Sequence, residues 1–521
     1  MALGTAPVVQ RFENPRELLG ERLKGVYRLL ADHGERIFPD DYFADCYKES
    51  RRGRPTIPAR VLATVMVLQA LEGLSDQEAC DRLERDLAWQ AAAGVDAGCE
   101  AFHPTTLVGQ RNRLRAAGRD KRFLEDTKVA AREAGVLRDR VRVLDSTPIY
   151  DAVSTQDTVT QLRAAIRKLL RAVQATALGF KVRVALSRDD DYAGPGKPPC
   201  DWDDPEAREA LVDALVRDAL AALAVIDGEQ LDGAARQAAE LLAHVAGQDV
   251  EEGDDGVFRI ARKVAKDRVI STVDPEARHG HKSRNRRFDG YKAHLSVDPD
   301  SELVDDVVVT PANTHDADVV EDLLADHLDD EDKPTVMGDS AYAGPDTMAD
   351  LEDDGFEVIA KVPPATNRDG RYSKDDFDVD LENETVGCPG GQVVAIRFAP
   401  DGGGRAEFGE HCAGCPLRER CTTSASGRSI TIHPREALLQ RAKAAQNDPE
   451  WQHAYQSTRP KVERKIAHFV RVAWGGRRAR TRGRRRVATD AATRAAAVNW
   501  ARLATLGLTF TNGRWTTAAA T

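Results

Sequence analysis

Long apolar runs are missing from this sequence of 521 residues, and aromatic residues make up only 6% of it. No uncharged apolar stretch approaches the roughly 18 residues that a membrane-spanning helix needs, which argues against such helices. The start of the chain also lacks the apolar centre of a signal peptide, because Arg11, Glu13, Arg16 and Glu17 interrupt it. We therefore expect a cytoplasmic protein with no membrane partner.

Cysteine is also scarce, with eight residues in the chain, and half of them fall in one short segment. The clustered residues are Cys388, Cys412, Cys415 and Cys421. In a reducing compartment such a cluster favours one tetrahedral Zn²⁺ over disulfides, and the C-x₂-C pair is its most specific part. His411 or His433 could replace a thiolate, and four free thiols are the alternative. Because the surrounding segment is short of apolar residues, we expect the metal to replace a hydrophobic core.

Charge is segregated along the chain, although the formal net charge is −11. Residues 316–354 hold fifteen acids and one lysine, whereas residues 459–486 hold twelve Lys or Arg and one acid. A second basic run, residues 278–292, holds six Lys or Arg and one Asp. Basic runs of this density indicate a nucleic-acid surface more often than a merely solvated face.

The chain is longer than one hydrophobic core usually supports, so we expect several domains. Alternation of strand and helix patterns in its middle predicts a mixed α/β sheet. The predicted organisation is a helical N-terminal domain over 1–138, an α/β domain over 139–474 with a helical insertion at about 155–255 and a Cys-rich insertion at about 363–435, and a basic helical tail over 475–521.

Three helices dominate the prediction for the N-terminal domain. The first covers 57–71, is apolar nearly all round and ends at Gly73. The second begins with a capping box at Ser75 and runs through Trp89. The third begins at Thr105 or Thr106 and carries Arg111, Arg113 and Arg115. This pattern fits a helix-turn-helix DNA-binding domain, and equally a plain helical bundle with a basic face.

Further elements are predicted from turn signals and periodicity. A β-rich run over 140–144 ends at Asp145, and a run over 335–338 ends at Asp339. The others are a hairpin of strands 289–298 and 304–310, a helix over 313–328, a strand over 356–362, a helix that begins at Pro460 and includes Glu463 and Trp474, a final helix over 488–508, and a frayed last dozen residues.

Two acids at strand ends and one on a helix are the residues that two-metal phosphoryl transfer requires. Mg²⁺ prefers carboxylate oxygens, and two ions about 4 Å apart can activate the attacking oxygen and stabilise the leaving one. Neighbouring strands would bring Asp145 and Asp339 together, and a helix packed across their ends would add Glu463. Taken singly, each acid is more often a turn cap or a helix-end residue.

These residues resemble the DDE class of insertion-sequence transposases, and the resemblance covers nearly the whole chain. The motifs that carry it are Val143-Leu-Asp145-Ser-Thr, Gly290-Tyr-Lys-Ala-His294, Pro311-Ala-Asn-Thr-His315-Asp, Gly338-Asp339-Ser-Ala-Tyr342 and Arg459-Pro-Lys-Val-Glu463-Arg. The run that begins Ile57-Pro-Ala-Arg also resembles the insertion sequence eleven-eighty-two group. The resemblance implies a ribonuclease-H-like catalytic fold.

The resemblance further implies that Asp145, Asp339 and Glu463 bind two Mg²⁺ or Mn²⁺ ions. It implies double-stranded DNA as partner, both as terminal inverted repeats and as target, with a dimer on the DNA ends in a bacterial or archaeal nucleoid. Tyr455 and Arg471 are each displaced by one position from the family's signature around the third acid. The expected DNA-contact residues are Arg459, Lys461, Arg464, Arg471, Tyr455, Lys292, Arg111 and Arg113.

Two hypotheses of different class follow. The first is a transposase that cleaves at element ends and joins the freed 3′-hydroxyl to target DNA. The second is a catalytically inactive DNA-binding or regulatory relative. A general nuclease is a third reading, which would cleave without dependence on element ends.

Overall fold

The computed structural model describes residues 14–47, 56–190, 192–194, 196–263, 265–283, 285–366, 370–471 and 475–517. The predicted helix end at Trp474 and the outermost residues of the predicted terminal domains lie outside these ranges. None of the helices within them is both long enough and apolar enough to cross a membrane.

Within residues 14–47 and 56–138, the described N-terminal part of the chain, the structure has seven α-helices. They are α1 (Pro15–Leu19), α2 (Gly25–Ile37), α3 (Ala59–Glu72), α4 (Asp76–Arg85), α5 (Leu87–Ala93), α6 (Thr105–Ala116) and α7 (Arg122–Glu133). As predicted, α3 is buried on nearly every side, ends at Gly73 in the left-handed conformation, and is followed by a capping box of Ser75 and Glu78. The single helix predicted through Trp89 is wrong, because Asp86 breaks it and caps α5 with its own carboxylate.

Strand β1 (Val141–Tyr150) follows, and then a helical subdomain. Its elements are α8 (Thr158–Val173), α9 (Ala177–Ala185), α10 (Pro205–Ile226), α11 (Gly233–Gln248) and the short strands β2 (Val250–Glu252) and β3 (Phe258–Ile260). The helices bury a core of their own, in which Leu162, Leu215 and Leu242 are fully enclosed. The subdomain therefore has its own hydrophobic support beside the main sheet.

The central sheet is mixed. After β1 its strands are β4 (Arg278–Ser283), β5 (Arg286–Asp298), β6 (Leu303–Pro311), β7 (Thr335–Gly338) and β8 (Val358–Ala360), with α12 (Val320–Leu323) and α13 (Pro345–Asp353) between them. The order is β4-β5-β1-β7-β8, and β6 pairs with the second half of β5. β1 runs antiparallel to β5 and parallel to β7, which is itself parallel to β8. The predicted mixed α/β architecture and the hairpin are thus confirmed.

The helix predicted over 313–328 is wrong as one element. The chain forms 3₁₀ turns at Asp316–Val319 and Ala325–His327 on either side of the single turn α12. The acidic residues of this segment, including Asp318, Glu321 and Asp322, bring like charges three and four positions apart, which disfavours a continuous helix.

A second, antiparallel sheet follows the first. It consists of β9 (Asp378–Asp380), β10 (Thr385–Gly387), β11 (Val393–Phe398), β12 (Gly404–Glu407) and β13 (Ser429–Ile432), with α14 (Arg418–Cys421) before the last strand. The prediction that this segment lacks a hydrophobic core is wrong. Phe377, Val386, Phe408 and Ile430 are among its seven buried apolar residues.

Three helices and a hairpin follow in the described residues after the second sheet. They are α15 (Glu436–Ala445), α16 (Pro449–Phe469), α17 (Arg484–Thr505), β14 (Thr509–Thr511) and β15 (Arg514–Thr516). Helix α17 is buried along most of its length and shares one core with the N-terminal helices and with one face of the central sheet. The predicted fraying of the last dozen residues is wrong for 510–517, because the hairpin buries Trp515 against this core.

Candidate active site

Asp145 and Asp339 occupy matching positions relative to two neighbouring parallel strands, since Asp145 lies within β1 and Asp339 directly follows β7. The last paired residues of β1 and β7 are Val143 and Met337, and each acid lies two residues further along its chain. Because side chains alternate along a strand, both acids project on the same face as Val143 and Met337. That face packs in the core shared with α16 and α17. The structure thus brings the two predicted acids together. The prediction that the first strand ends at Asp145 is wrong, because β1 pairs with β5 as far as Tyr150 and Asp145 lies in its middle.

Arg459 of α16 is the main cation at Asp145. Its Nη2 donates to Asp145 Oδ2 at 3.1 Å and its Nη1 donates to the carbonyl of Leu144 at 3.4 Å. The backbone N–H of Ser146 donates to Asp145 Oδ1 at 2.7 Å. Burial raises the pKa of Asp145 and the charge of Asp339 adds to this, although Arg459 and the Ser146 hydrogen bond oppose it. The fold therefore holds this carboxylate in a place where its negative charge needs a further cation.

Asp339 is half-buried and ends its strand in a tight turn. Its Oδ1 accepts from the N–H of Ala341 at 2.8 Å, and its carbonyl accepts from the N–H of Tyr342. Tyr342 packs directly on Gly338, where an added Cβ would lie 2.7 Å from the Cβ of the tyrosine. Asp339 is thus a turn cap, and one of its carboxylate oxygens is not used by that turn.

The hydroxyl of Tyr342 is buried and has no hydrogen-bond partner among the described residues. Burial raises the pKa of Tyr342 well above its usual value, and the charges of Asp316, Asp145 and Asp339 raise it further. A buried hydroxyl without a partner is costly. The hydroxyl is therefore a donor that a polar group bound near these carboxylates could use.

Glu463 lies on α16 one helical turn after Arg459, and Tyr455 lies one turn before it. These three residues therefore share one face of the helix, and that face reaches Asp145 through Arg459. Glu463 is exposed and has no hydrogen bond or ion pair with another described residue. Burial raises the pKa of Tyr455, and although Arg459 opposes this, the charges of Asp339, Asp145 and Glu463 add to it. The structure places Glu463 on the helix that borders the acid pair.

The predicted start of this helix is wrong. Asp448 caps α16 with its side chain and Pro449 occupies its first turn, so Pro460 lies inside the helix and Glu463 in its final third. An internal proline removes one helical hydrogen bond, that of the Gln456 carbonyl. Gln456 and Pro460 are both exposed, so water can satisfy that carbonyl.

Asp316 is a site residue that the sequence analysis did not identify. It accepts from Lys292 Nζ at 2.7 Å and from Ser146 Oγ at 2.7 Å, next to Asp145. Lys292 also donates to the carbonyl of Thr314 at 2.8 Å, so this predicted DNA-contact residue is held inside the fold. The sequence motif that ends in His315-Asp316 could have indicated this residue. Its contact with Ser146 is visible only in the folded structure.

Most of the other predicted DNA-contact residues also have partners within the protein. Arg464 forms two hydrogen bonds with Glu302, the shorter at 2.6 Å, and Lys461 lies 3.8 Å from Asp300. In the N-terminal part, Arg111 forms an ion pair with Asp76 at 2.5 Å, and the guanidinium of Arg113 lies 4.8 Å from the ring centre of Tyr47. Arg471 is exposed just after α16.

Donor chemistry at the acid pair suits a hard divalent cation. Within the described ranges, no three His, Cys, Asp or Glu side chains are close enough together to hold a metal ion. The carboxylates of Asp145 and Asp339 nevertheless offer the oxygen ligands that Mg²⁺ prefers, and the hydroxyl of Tyr342 beside them lacks a partner. The residues present therefore fit a hydrated divalent ion.

The four clustered cysteines line one small pocket beside the second sheet. An added Cβ at Gly390 would lie 3.4 Å from the sulfur of Cys415 and 3.6 Å from that of Cys388. Burial raises the pKa of Cys421, and the other three thiols act on it in the same direction. The thiols thus converge, although within the described residues they do not form a metal-binding group.

Two family models match the chain. Residues 259–500 match the transposase DDE domain, and residues 20–113 match a transposase domain, DUF772. These matches support a DNA transposase of the DDE type. The DDE match contains Asp339, Arg459 and Glu463. It does not contain Asp145, which precedes the helical subdomain, because the match begins at residue 259, near the end of that subdomain. No curated protein and no solved structure matches the chain.

Proposed function

We propose that this transposase uses Asp145, Asp339 and Glu463 to cleave DNA at the ends of a mobile element and to join the 3′-hydroxyl to target DNA. The observation that carries the proposal is the matching register of the two aspartates on parallel strands, bordered by the helix that bears Glu463. We infer a ribonuclease-H-like core, since an antiparallel hairpin and two parallel strands flank β1 in the expected order. The motif at Ile57 supports the insertion sequence eleven-eighty-two group.

In this proposal the three carboxylates would hold two Mg²⁺ or Mn²⁺ ions. When bound, such ions activate the attacking oxygen and stabilise the leaving one. Arg459 fixes the direction of the Asp145 carboxylate, and Asp316 orients Ser146 beside it. Tyr455, whose ring centre lies 5.1 Å from that of Trp451 in a stacked pair, shares a helix face with Arg459 and would donate its hydroxyl to a phosphate oxygen.

Each joining step exchanges one phosphodiester for another, so no high-energy cofactor is required. The substrates are double-stranded terminal inverted repeats and target DNA, and a dimer would hold the two ends together. We place this activity at the nucleoid, in the cytoplasm.

Cleavage of supercoiled plasmid that carries the native element ends, in Mg²⁺ or Mn²⁺, tests the proposal. We expect strand cleavage and joined products from the wild type, and a loss of at least about 100-fold for Asp145→Ala, Asp339→Ala and Glu463→Ala, since each removes a metal ligand. Asp329→Ala, an exposed acid in a loop, is the matched control. Wild-type activity in all three variants would refute the assignment, binding without products would favour the inactive relative, and cleavage regardless of element ends would favour a nuclease.

We also propose that Cys388, Cys412, Cys415 and Cys421 bind one structural Zn²⁺. Their convergence on one pocket supports the proposal, whereas the hydrophobic core beside them shows that the sheet does not depend on metal alone.

Metal analysis of the purified protein tests this second proposal. We expect about one zinc per chain, lost in Cys415→Ser and retained in Cys200→Ser, because Cys200 lies far away in the helical subdomain. Zinc-free wild-type protein with four titratable thiols in this segment would show that the cysteines are free.

A further inference from the structure

Some exposed cations of this protein are paired with acids and others are not. Arg464, Arg484 and Arg485 are paired with Glu302, Glu276 and Asp120. Among the exposed cations that have no side-chain hydrogen bond or ion pair with another described residue, six lie within residues 281–287 and 477–486. We call these six the basic edge: Lys282, Arg286, Arg287, Arg478, Arg482 and Arg486.

The end of strand β1 joins the two halves of the basic edge. On one side, Tyr150 is paired with Gly290 of the β4–β5 hairpin, whose tip carries Lys282, Arg286 and Arg287. On the other side, the N–H of Tyr150 donates to the carbonyl of Arg477 at 2.7 Å, and the N–H of Ala479 donates to the carbonyl of Tyr150 at 2.8 Å. The arginine-rich segment therefore runs beside the same strand end as the hairpin.

The basic edge also lies near the acid pair. Tyr150 follows Asp145 by five residues on one strand, a distance of about 16 Å at 3.3 Å per residue. Lys282 is close enough for its charge to act on Asp145, whose pKa is raised mainly by burial. At the far end of the basic edge, the charge of Arg486 acts on Arg115 of α6. Burial lowers the pKa of Arg115, and the charge of Arg486 lowers it further. The cations thus extend from the acids toward the N-terminal helices.

Unpaired cations gathered along one edge repel one another, and a polyanion would relieve this repulsion. Duplex DNA presents one negative charge per about 1.7 Å of its axis, which matches an extended line of guanidinium groups better than a single small anion does. Arginine also suits phosphate, because its planar group can donate two hydrogen bonds.

We propose that the basic edge binds the phosphodiester backbone of duplex DNA and guides it to Asp145 and Asp339. This inference rests on the proposed function, since it names the surface that delivers the substrate to that site. Contacts to phosphates position a duplex without reading its sequence. The basic edge should therefore contribute equally to binding of element ends and of unrelated DNA.

The salt dependence of DNA binding tests the proposal. Full-length protein and a fluorescent duplex of arbitrary sequence are titrated at several NaCl concentrations, without divalent metal. Each phosphate contact contributes about 0.9 to the slope of log K against log salt concentration. We expect Arg482→Gln/Arg486→Gln, and likewise Arg286→Gln/Arg287→Gln, to reduce the magnitude of the slope by about 1.8.

A matched control lies in the same segment. Arg484→Gln/Arg485→Gln removes the same net charge from exposed positions, but both side chains are paired with acids. It should change the slope by less than half as much, and Arg482→Lys/Arg486→Lys should retain the wild-type slope. Equal slopes for all glutamine variants and the wild type, or an equal fall in the Arg484/Arg485 control, would overturn the proposal.

The outcome is separable from that of the proposed function. The titration contains no metal and reports no cleavage, so Asp145→Ala should show the wild-type slope even when it is inactive. If the wild type cleaves DNA but the salt slope is the same in the basic-edge variants, only the proposed DNA-binding surface is refuted. If the variants change the slope as expected but the wild type does not cleave, only the catalytic proposal is refuted. Unfolding temperatures of all variants identify any loss that arises from misfolding.

Discussion

At the scale of single residues, Asp145 is a half-buried carboxylate whose charge the fold stabilises incompletely. Burial and Asp339 raise its pKa despite Arg459, so folding favours its protonated form. Its contribution to stability is therefore most favourable at low pH and declines as pH rises through its folded-state pKa. Charge at this carboxylate is a cost at neutral pH that a bound cation would offset.

Asp145→Asn should accordingly be at least as stable as the wild type while losing cleavage. The amide keeps the shape of the side chain but carries no charge into the half-buried site. Thermal unfolding with and without Mg²⁺ provides the check: the wild type should be stabilised, by about 2.7 kcal/mol at 100 times the dissociation constant, and the variant should not. Equal Mg²⁺ stabilisation of both proteins would contradict a metal-ligand role.

His327 provides a pH-dependent contact away from the site. It is 1% exposed and bonds Asp305 and Asp330, each at 2.9 Å. Burial lowers the pKa of His327, but the hydrogen bond and charge of Asp305 outweigh this and raise it above the usual value. Protonated His327 thus stabilises the folded protein fully below about pH 6.5, the usual histidine pKa. This stabilisation is lost as pH rises through the raised pKa of His327.

His327→Gln should therefore lose more free energy of unfolding at pH 6 than at pH 9, by about 1–3 kcal/mol at the lower pH. Urea unfolding at the two pH values measures the difference. His453→Gln, which changes an exposed residue on α16, should show no such trend. A loss for His327→Gln that does not vary with pH would mean that the histidine is neutral in the folded protein.

The site residues also show how much of the candidate site could be predicted from the sequence. Asp145 and Asp339 could be selected because each follows a short β-rich run and precedes turn-forming residues, which are local signals. The turn is present only after Asp339, because pairing with β5 extends β1 past Asp145 to Tyr150. Their matching register, the contact of Arg459 with Asp145, and the whole role of Asp316 depend on residues far apart in the chain. Pairing of that kind is decided by tertiary packing, which local patterns do not encode.

At the scale of elements, the errors have a common physical cause. Pro460 was predicted to start a helix because proline is favourable in a first turn, yet the capping by Asp448 and Pro449 starts α16 eleven residues earlier. Asp86 broke a predicted helix because its side chain caps the next one. In both cases a local competition between caps decided the boundary, and boundaries are the least predictable feature of an element.

The second sheet shows a different limit. Its apolar residues are spread thinly over strands of three to six residues, so the sequence appeared to lack a core. Five strands gather Phe377, Val386, Phe408 and their neighbours into one cluster only after they pair. Short strands carry too few residues for a periodic signal. For this reason the sequence predicted that a metal, and not a hydrophobic core, stabilises this segment.

At the scale of the whole molecule, α17 is the element that unites the parts. Asn499 lies at its centre, is 1% exposed, and accepts from the N–H of Val304 and donates to its carbonyl, each at 2.8 Å. It also donates to Thr127 Oγ1 of α7 at 3.0 Å. Within the described residues β6 pairs with β5 alone, so Asn499 satisfies the backbone groups of Val304 at an edge that has no neighbouring strand.

Asn499→Ala should destabilise the protein by about 2–4 kcal/mol, because it leaves two buried backbone groups without partners. Thr505→Ala, at an exposed position near the end of the same helix, should cost less than about 1 kcal/mol. Denaturant unfolding monitored by intrinsic fluorescence measures both. Comparable losses would show that Asn499 contributes only through helix propensity.

The burial of α17 between the N-terminal helices and the sheet also sets an order of events during synthesis. The N-terminal helices leave the ribosome first, but their apolar faces and that of β6 are covered only when residues 484–505 have emerged. Translation that stops earlier would yield chains with exposed apolar surface, which are substrates for proteolysis rather than compact fragments. We therefore expect a copy of this protein that ends before α17 to be degraded instead of accumulating as a folded fragment.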